Sequence, residues 1–299
     1  MIQMSREHNI RSEEDIFESR VTHIIEEALF EDIGVGDLTT DAVVPPDLQG
    51  EASFLAKEGG VIAGLNVADL IFTYLDPSLH LRSQISDGAR VSAGTVFALV
   101  AGPVAGMLKG ERTALNFLQR MSGIATLTRK FVDAVQGTSA KITDTRKTSP
   151  GIRLLDKRAV VVGGGVNHRF GLDDMILIKD NHIAAAGGIS PALIKCLDRI
   201  SGKPFKIRIE VETKTLGEVR EVIALKGVDR IMLDNFSLGD MKKAVEIIHH
   251  AVEVEASGNI SLENVRAVAE TGVDVISVGA LTHSVKALDI SMKIIPKPI

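Results

Sequence analysis

Positively charged side chains are concentrated in one part of this sequence, between residues 141 and 179. That stretch holds eight lysines and arginines against four acids, whereas the whole 299-residue chain has a net charge of −5. A local excess of positive charge in an acidic protein suits a small anion better than a nucleic acid, which needs a broad basic surface. A solvated basic face is the competing interpretation. The cations are Lys141, Arg146, Lys147, Arg153, Lys157, Arg158, Arg169 and Lys179.

Two acidic residues, Glu212 and Asp234, stand at the ends of short apolar runs that are typical of buried strands. Carboxylates at neighbouring strand ends could hold Mg²⁺ bound to phosphates, bond sugar hydroxyls or stabilise a cationic transition state. They could also be salt-bridge partners of the arginines. Glu210 points to the same strand face as Glu212, so one of these two acids could cap the core of the sheet.

The elements that must position these residues follow from the alternation of β-rich runs and helical stretches after residue 142. The alternation predicts a parallel sheet with buried strands, and six clear units favour a partial α/β barrel with fewer than eight strands. Thr215 with Glu218, and Ser237 with Asp240, have the spacing of capping boxes, and Ser190 before a proline is a candidate N-cap. The runs are Ile142–Thr145, Met175–Lys179, Ile207–Glu212, Arg230–Asn235, Val252–Ser257 and Val275–Gly279.

The carboxyl ends of the predicted strands carry charged, polar or glycine residues in every unit. Functional residues of α/β barrels collect at these ends, so the pattern predicts one site along the rim. The glycine pairs in the last two loops predict a phosphate site, with His283 in the following helical turn, although each loop alone could be a plain turn. The rim residues are Arg146, Lys147, Lys179, Glu212, Asp234, Asn235, Ser257, Gly258 and Gly279.

The first part of the chain has a different pattern. Short apolar runs separated by turn signals over residues 51–106 predict a small, mainly antiparallel sheet with a helix near Asn66–Tyr74. Residues 111–136 have helical periodicity, which Gly123 interrupts at a candidate domain crossing. We predict a variable extension over residues 1–20, an N-terminal α/β sandwich over 21–122 and a barrel over 123–283. A final helix over 284–299 would pack back on the sandwich.

Several other classes of function lack their sequence signals. There is no G-x-x-x-x-G-K-[ST] phosphate loop, and VVVGGGVNH at residues 160–168 lacks the third glycine of a dinucleotide fingerprint. His182, His249 and His250 lack the spacing of metal ligands, so a structural or surface role is expected for them. No run approaches 18 apolar residues, and the single Cys196 fits a reducing compartment, which together predict a cytoplasmic protein.

Taken in chain order, the motifs resemble those of the quinolinate phosphoribosyltransferase family. The resemblance covers nearly the whole chain after the first twenty or so residues, and the combination of motifs is highly specific. The matching stretches are GDLTTD at 36–41, GERTALNFLQRMSGIAT at 110–126, TDTRKTSPGIR at 143–153, GGGVNHRFGL at 163–172, KDNHI at 179–183, EVE at 210–212, LDN at 233–235, EASGNI at 255–260 and VGALTHS at 278–284.

The resemblance implies that quinolinate and phosphoribosyl pyrophosphate (PRPP) react with Mg²⁺ to give nicotinate mononucleotide, pyrophosphate and carbon dioxide. It also implies an α/β sandwich followed by a partial α/β barrel, and a homodimer with a shared active site or a hexamer built from such dimers. It assigns Arg146, His168, Arg169 and Lys179 to quinolinate, together with Arg112 of a neighbouring subunit. It assigns Lys147, Glu212, Asp234, Ser257, Gly258, Gly279 and His283 to PRPP, with Lys147, Glu212 and Asp234 as catalytic residues and the two acids near Mg²⁺, directly or through substrate or water.

Four alternatives remain open at this point. A related enzyme of the same fold could act on another acid, as relatives associated with molybdenum transport do, but Arg146, Arg169 and Lys179 together favour quinolinate. A nicotinate phosphoribosyltransferase would not need so many cations for one carboxylate. In ordinary nucleobase phosphoribosyltransferases, paired acids stand in a sequence context that Asp173 and Asp174 lack. A non-catalytic binding protein would bind ligand without turnover.

Overall fold

The computed structural model describes residues 13–203 and 206–297. The chain divides into two compact units: one extends to Met121 and resumes at Leu288, and the other runs from Ser122 to Ala287. Much of the extension predicted over residues 1–20 lies outside the described residues, and its last part, from Glu13, belongs to the first helix. Among the described residues, no helix is both long and apolar enough to cross a membrane.

The first unit contains an antiparallel sheet of four strands, three of which come from the N-terminal part of the chain. The central strand β1 pairs with β5, which pairs in turn with β3, and the short strands β2 and β4 pair separately. Buried rings of Phe54, Phe72 and Phe97 pack together in its core. The elements are α1 (Glu13–Ile33), α2 (Leu38–Val43), β1 (Gln49–Ala56), β2 (Gly60–Val61), α3 (Leu65–Leu75), β3 (His80–Ser83), β4 (Arg90–Val91), β5 (Val96–Pro103) and α4 (Val104–Ala134).

The second unit contains a six-stranded parallel sheet in the order β6-β11-β10-β9-β8-β7. Each of the six predicted runs overlaps one of its strands, and the predicted N-terminal α/β domain with a partial α/β barrel is confirmed. The elements are β6 (Lys141–Thr143), α5 (Arg153–Val162), β7 (Ile176–Ile178), α6 (Asp180–Ala186), α7 (Ile189–Ile200), β8 (Ile209–Thr213), α8 (Leu216–Leu225), β9 (Arg230–Asp234), α9 (Leu238–Ile248), β10 (Glu253–Ser257), α10 (Val265–Ala269), β11 (Val275–Ser277) and α11 (Ala280–His283).

The end of the chain is a strand, and the final helix predicted over residues 284–299 is wrong. Strand β12 (Ile290–Pro296) pairs antiparallel with β1 and completes the four-stranded sheet of the first unit. Ile290, Met292 and Ile294 alternate with Ser291 and Lys293, which is the period of a strand rather than of a helix. The open edge of β1 supplies the backbone partners, so pairing across the sheet decides the structure of this segment.

Local capping signals predict two helix starts correctly and one incorrectly. Thr215 Oγ1 accepts the N–H of Glu218 at 3.2 Å, and Ser237 Oγ accepts the N–H of Asp240 at 3.1 Å. Helix α7 instead begins at Ile189, one residue before the predicted N-cap Ser190. The backbone N–H and hydroxyl of Ser190 both donate to a carboxylate of the neighbouring helix α8, so that tertiary contact replaces the predicted cap.

Gly123 does not interrupt α4, which continues through it to Ala134. A Cβ at this position would collide with the backbone carbonyl of Lys286 and lie 3.1 Å from Cα of Ala287. The glycine therefore permits close backbone approach within the second unit, rather than breaking the helix.

Candidate active site

A cavity of about 790 Å³ opens at the carboxyl ends of the parallel strands, and its wall includes residues of β7 to β11 and of the segment that follows β6. Every site residue predicted in the second unit lines it: Arg146, Lys147, His168, Arg169, Lys179, Glu212, Asp234, Ser257, Gly258, Gly279 and His283. Arg112 is not among the described residues that line the cavity; it is exposed on α4 in the first unit. The parallel sheet brings these residues together because equivalent strand ends meet at one edge.

One wall of the cavity is cationic. The Nε atom of Arg146 is buried and has no hydrogen-bond partner among the described residues. Arg169 is 8% exposed and donates from its guanidinium to the carbonyl of Met175 at 3.1 Å. Burial and the neighbouring charge of Arg146 both lower the pKa of Arg169. The two neighbouring guanidinium groups, one of which has a buried N–H without a partner among the described residues, form a binding surface for carboxylates.

Another part of the cavity wall is acidic and comes from β8 and β9, which are neighbours in the sheet. Glu212 is 9% exposed, and burial followed by the charge of Asp234 raises its pKa. Lys179 reaches across, with its Nζ 4.0 Å from Oε2 of Glu212. A raised pKa caused by a second carboxylate means that the two acids together would favour a bound cation or cationic transition state.

The loops after β9 and β10 are linked by two side-chain amides, that of Asn235, which the sequence placed on the rim, and that of Asn259, which had no predicted role. Asn259 Nδ2 donates to Asn235 Oδ1 at 3.0 Å, and Asn235 Nδ2 donates to Asp234 Oδ2 at 3.0 Å. Both asparagines have positive φ, as does Gly258, whose φ is +94°. A Cβ on Gly258 would lie 2.6 Å from Cγ of Asn235, so only glycine fits beside this amide.

Gly279 occupies a second tight position in the cavity. A Cβ there would lie 3.1 Å from Cδ of Lys147 and 3.1 Å from Nε2 of His283. The absence of a side chain therefore lets Lys147 and His283 approach the loop after β11. The resulting surface combines a cation, an imidazole and exposed backbone, which is the chemistry of phosphate binding.

His168 stands on a buried cluster of charges at the base of the cavity. Its Nε2 lies 3.1 Å from Oε2 of Glu210 and 3.3 Å from Oε2 of Glu255, and both acids are fully buried. Arg230 neutralises the same acids, with its NH1 2.8 Å from Oε2 of Glu255. Sequence reasoning considered Glu210 as a core cap and assigned no role to Glu255, although EASGNI contains that residue.

The charge balance of this cluster sets the state of the imidazole. Burial alone would lower the pKa of His168, but hydrogen bonds and charges from Glu210 and Glu255 outweigh burial and raise the pKa to about 9. The backbone N–H of Arg169 points at Nδ1 from 2.8 Å and favours the neutral ring. Two carboxylates and one guanidinium leave the cluster with an excess of negative charge. This excess favours the protonated imidazole, so His168 adds positive charge to the cationic wall.

His182, His249 and His250, for which a structural or surface role was expected, form no metal site among the described residues. His182 Nδ1 accepts the backbone N–H of Lys179 at 2.9 Å and helps to begin α6. His249 and His250 are exposed at the end of α9, where both have positive φ.

Two family models match this chain in order along the sequence. The model for the quinolinate phosphoribosyl transferase N-terminal domain matches residues 37–122, and the model for the C-terminal domain matches residues 124–293. The chain belongs to the quinolinate phosphoribosyltransferase family. The predicted family is therefore confirmed.

Individual members of the family agree with this assignment. The chain is 49% identical over 286 residues to quinolinate phosphoribosyltransferase [decarboxylating] 1b of Nicotiana tabacum, covering 91% of this chain and 81% of the relative. It is 46% identical to a probable nicotinate-nucleotide pyrophosphorylase [carboxylating] of Synechocystis, covering 91% of each. NadC from Streptococcus pyogenes superposes with a TM-score of 0.89 at 40% identity, covering 94% of this chain and 98% of that structure.

Proposed function

We propose that the cavity at the carboxyl ends of β6–β11 is the active site, with quinolinate on its cationic wall and PRPP between the acids and the glycine loops. The enzyme transfers the phosphoribosyl group of PRPP to quinolinate with decarboxylation, a step of NAD biosynthesis. The observation that carries the placement is that two guanidinium groups, those of Arg146 and Arg169, and two carboxylates, those of Glu212 and Asp234, line one cavity of about 790 Å³. That volume has room for two small substrates at once.

Quinolinate has two carboxylates, and the cationic wall offers several donors to hold them. The buried, unpartnered Nε of Arg146 and the restrained guanidinium of Arg169 are assigned to these groups, with His168 and Lys179 beside them. Guanidinium groups bind carboxylates through paired hydrogen bonds, which fixes orientation as well as position. Nicotinate has one carboxylate and would leave part of this positive charge unmatched, so the wall favours a dicarboxylate.

PRPP is assigned to the other side of the cavity. Ser257, Gly258 and Gly279 would present backbone to its 5-phosphate, with His283 close by, and Lys147 would meet its pyrophosphate or ribose. Glu212 and Asp234 would bond the ribose hydroxyls. The close contacts at Gly258 and Gly279, where a Cβ would collide with neighbouring side chains, support this assignment because they leave the backbone accessible.

The acidic wall also fits the Mg²⁺ that the family resemblance implies. Mg²⁺ prefers oxygen ligands, commonly one or two carboxylates together with substrate phosphates and water. Glu212 and Asp234 are such a pair, and the pKa of Glu212 is raised by burial and then by the charge of Asp234, which a cation would offset. These two residues would hold Mg²⁺ directly or through substrate or water, and the ion would neutralise the departing pyrophosphate.

The reaction can be written with the chain's own residues in defined roles. The cationic wall orients quinolinate so that its ring nitrogen attacks the anomeric carbon as the bond to pyrophosphate breaks, which lowers the entropic barrier. Glu212 and Asp234 stabilise the positive charge that develops on the ribose. The ring nitrogen is then cationic, so the adjacent carboxylate leaves as carbon dioxide and its electron pair stays on the ring carbon. A proton from water completes nicotinate mononucleotide, and no general base is required.

Arg112 and the assembly complete the proposal. Arg112 would reach the quinolinate site of a neighbouring subunit in a homodimer, or in a hexamer of such dimers. Its exposure on α4 supports a role in an assembly. A cytoplasmic location also belongs to the proposal, supported by the single Cys196. Some plant relatives carry names that place them in mitochondria or chloroplasts.

The placement of quinolinate is tested with Arg146→Ala, assayed with quinolinate, PRPP and Mg²⁺ and with nicotinate as a parallel substrate. Losing charged hydrogen bonds of about 1.5–3 kcal/mol should raise the KM for quinolinate by roughly ten- to a hundredfold and leave that for PRPP little changed. Arg199→Ala, on an exposed position of α7, is the matched control and should behave like wild type. An equal loss for both substrates would refute the division into two subsites.

A further inference from the structure

A buried ion pair lies behind the cationic wall of the cavity. Lys157 on α5 is 2% exposed, and Asp144, the residue after β6, is fully buried; Nζ of Lys157 contacts Oδ1 of Asp144. Burial lowers the pKa of Lys157 and raises the pKa of Asp144 to about 6. A buried pair often contributes little net stability because both charges lose their hydration. Its contacts therefore need an explanation beyond stability.

Both members of the pair bind the backbone of one cavity residue, His168. Asp144 Oδ1 accepts the N–H of His168 at 2.9 Å, and Lys157 Nζ donates to its carbonyl at 2.9 Å. The amide of Asn167, oriented to satisfy its neighbours, donates to Asp144 Oδ2 at 2.5 Å and to the Lys157 carbonyl at 3.0 Å. The pair thus holds the segment that carries His168 and Arg169 from both sides.

Helix α5 also holds the segment that carries Arg146 and Lys147. Asp156 Oδ2 accepts the N–H of Ser149 at 3.2 Å. Arg153 donates from Nε to Thr148 Oγ1 and from NH1 to the carbonyl of Phe170, both at 3.0 Å. One helix therefore connects two separate segments, residues 144–149 and residues 166–170, which supply the two guanidinium groups of the cationic wall.

We propose that Asp144 and Lys157 are positioning residues for the acid substrate, because their ion pair fixes the two arginine-bearing segments relative to each other. The inference rests on the proposed placement of quinolinate between Arg146 and Arg169. Neither residue of the pair touches substrate in this arrangement; each acts through the backbone of His168 and the start of the Arg146 segment.

Loosening the Asp144–Lys157 pair should affect the binding of one substrate, quinolinate, more than the binding of the other. Paired hydrogen bonds from two guanidinium groups to two carboxylates require a fixed spacing, and a displacement of about 1 Å can cost a hundredfold in rate. The glycine loops of the PRPP side follow β10 and β11. Lys147 is the one residue assigned to PRPP on the segment that α5 holds, and its carbonyl also accepts the hydroxyl of Thr282 in α11 at 2.8 Å. Among the described residues, the side-chain hydrogen bonds of the Asp144–Lys157 pair that extend beyond the pair reach residues 167 and 168. Loosening the pair should therefore affect quinolinate much more than PRPP.

The test compares Lys157→Met with the double variant Asp144→Asn/Lys157→Met. The single variant leaves a buried carboxylate unpaired and should lower the melting temperature as well as raise the KM for quinolinate. The double variant removes both charges, so it should recover most of the melting temperature while its KM for quinolinate stays about tenfold above wild type, with the KM for PRPP changed less than twofold. Lys243→Met, which breaks an exposed ion pair to Asp240, is the matched control and should leave both KM values unchanged.

Two results would overturn the positioning role: a folded double variant with the wild-type KM for quinolinate, or equal increases in both KM values. Arg169→Ala is measured in parallel to separate this inference from the proposed function. If Arg169→Ala raises the KM for quinolinate and the double variant does not, only the positioning role is refuted. If Arg169→Ala has no effect, the placement of quinolinate itself is refuted.

Discussion

Gly258→Ala perturbs the PRPP side of the site by adding one carbon atom at a defined place. The new Cβ would lie 2.6 Å from Cγ of Asn235, and residue 258 has a φ of +94°, which L side chains rarely adopt. Asn235 is hydrogen-bonded to Asp234 and to Asn259, so a shift of its amide would move the acidic wall as well as the loop. The substitution therefore combines backbone strain with displacement of cavity residues.

The two effects can be separated by magnitude. A non-glycine residue in the left-handed region costs roughly 1–2 kcal/mol, and this strain alone should lower the free energy of unfolding without altering substrate binding. Contacts with a real Cβ essentially never fall under 3.0 Å, so Asn235 must also move by several tenths of an ångström. Because misplacement on the order of 1 Å can cost about a hundredfold, we expect kcat/KM for PRPP to fall by roughly ten- to a hundredfold.

Gly137→Ala is the matched control for backbone strain. Gly137 has a φ of +85°, and an added Cβ would meet nothing within 4 Å. Both variants should lose similar stability in urea unfolding, while only Gly258→Ala should lose kcat/KM when PRPP is varied at saturating quinolinate. If the two variants show the same kinetics, the close contact between Gly258 and Asn235 has no role in the site and the assignment of this loop to PRPP is wrong.

Three further predictions concern charge, assembly and metal. His168 has a folded-state pKa of about 9 against 6.5 for the free group, so its contribution to the free energy of unfolding is present below pH 6.5 and is lost as the pH rises through about 9. This loss of about 3 kcal/mol should be smaller in Glu255→Gln. Identical pH profiles of urea unfolding in the two proteins would contradict the role given to the buried acids. Arg112→Ala and Lys147→Ala, each inactive alone, should partly recover activity after subunit exchange, and no recovery in confirmed mixed oligomers would argue against a shared site. Glu212→Gln should raise the Mg²⁺ concentration needed for half-maximal rate, whereas full activity of wild type in excess chelator would exclude the proposed metal role.

Much of the second unit was predictable because its signals are local and repeated. Each of the six predicted runs overlaps a strand, since a parallel strand buried on both faces is a short apolar run whatever its neighbours are. The rim residues were predictable for the same reason: parallel strands place equivalent ends at one edge. The capping residues Thr215 and Ser237 act within one helical turn, so their sequence spacing was sufficient.

Signals failed where a distant partner decides the outcome. The segment Ile290–Pro296 alternates apolar and polar residues as a strand does, a local signal that the prediction of a helix overlooked, and its partner β1 lies more than 230 residues earlier in the chain. Ser190 is not an N-cap because a carboxylate of α8 binds its donors. Gly123 leaves α4 intact because the chain near Lys286 packs against it. None of these partners is near in sequence, so local propensity could not reveal them.

The family, the alternation of strands and helices, and the types of residue along the rim of the sheet could all be predicted from the order of the amino acids. Which charges are matched depends on the tertiary structure. It left Nε of Arg146 without a partner among the described residues, set His168 on Glu210 and Glu255, and joined Lys157 to Asp144. The physical reason is that hydrogen bonds and charge interactions act over a few ångströms in space, whatever the separation along the chain.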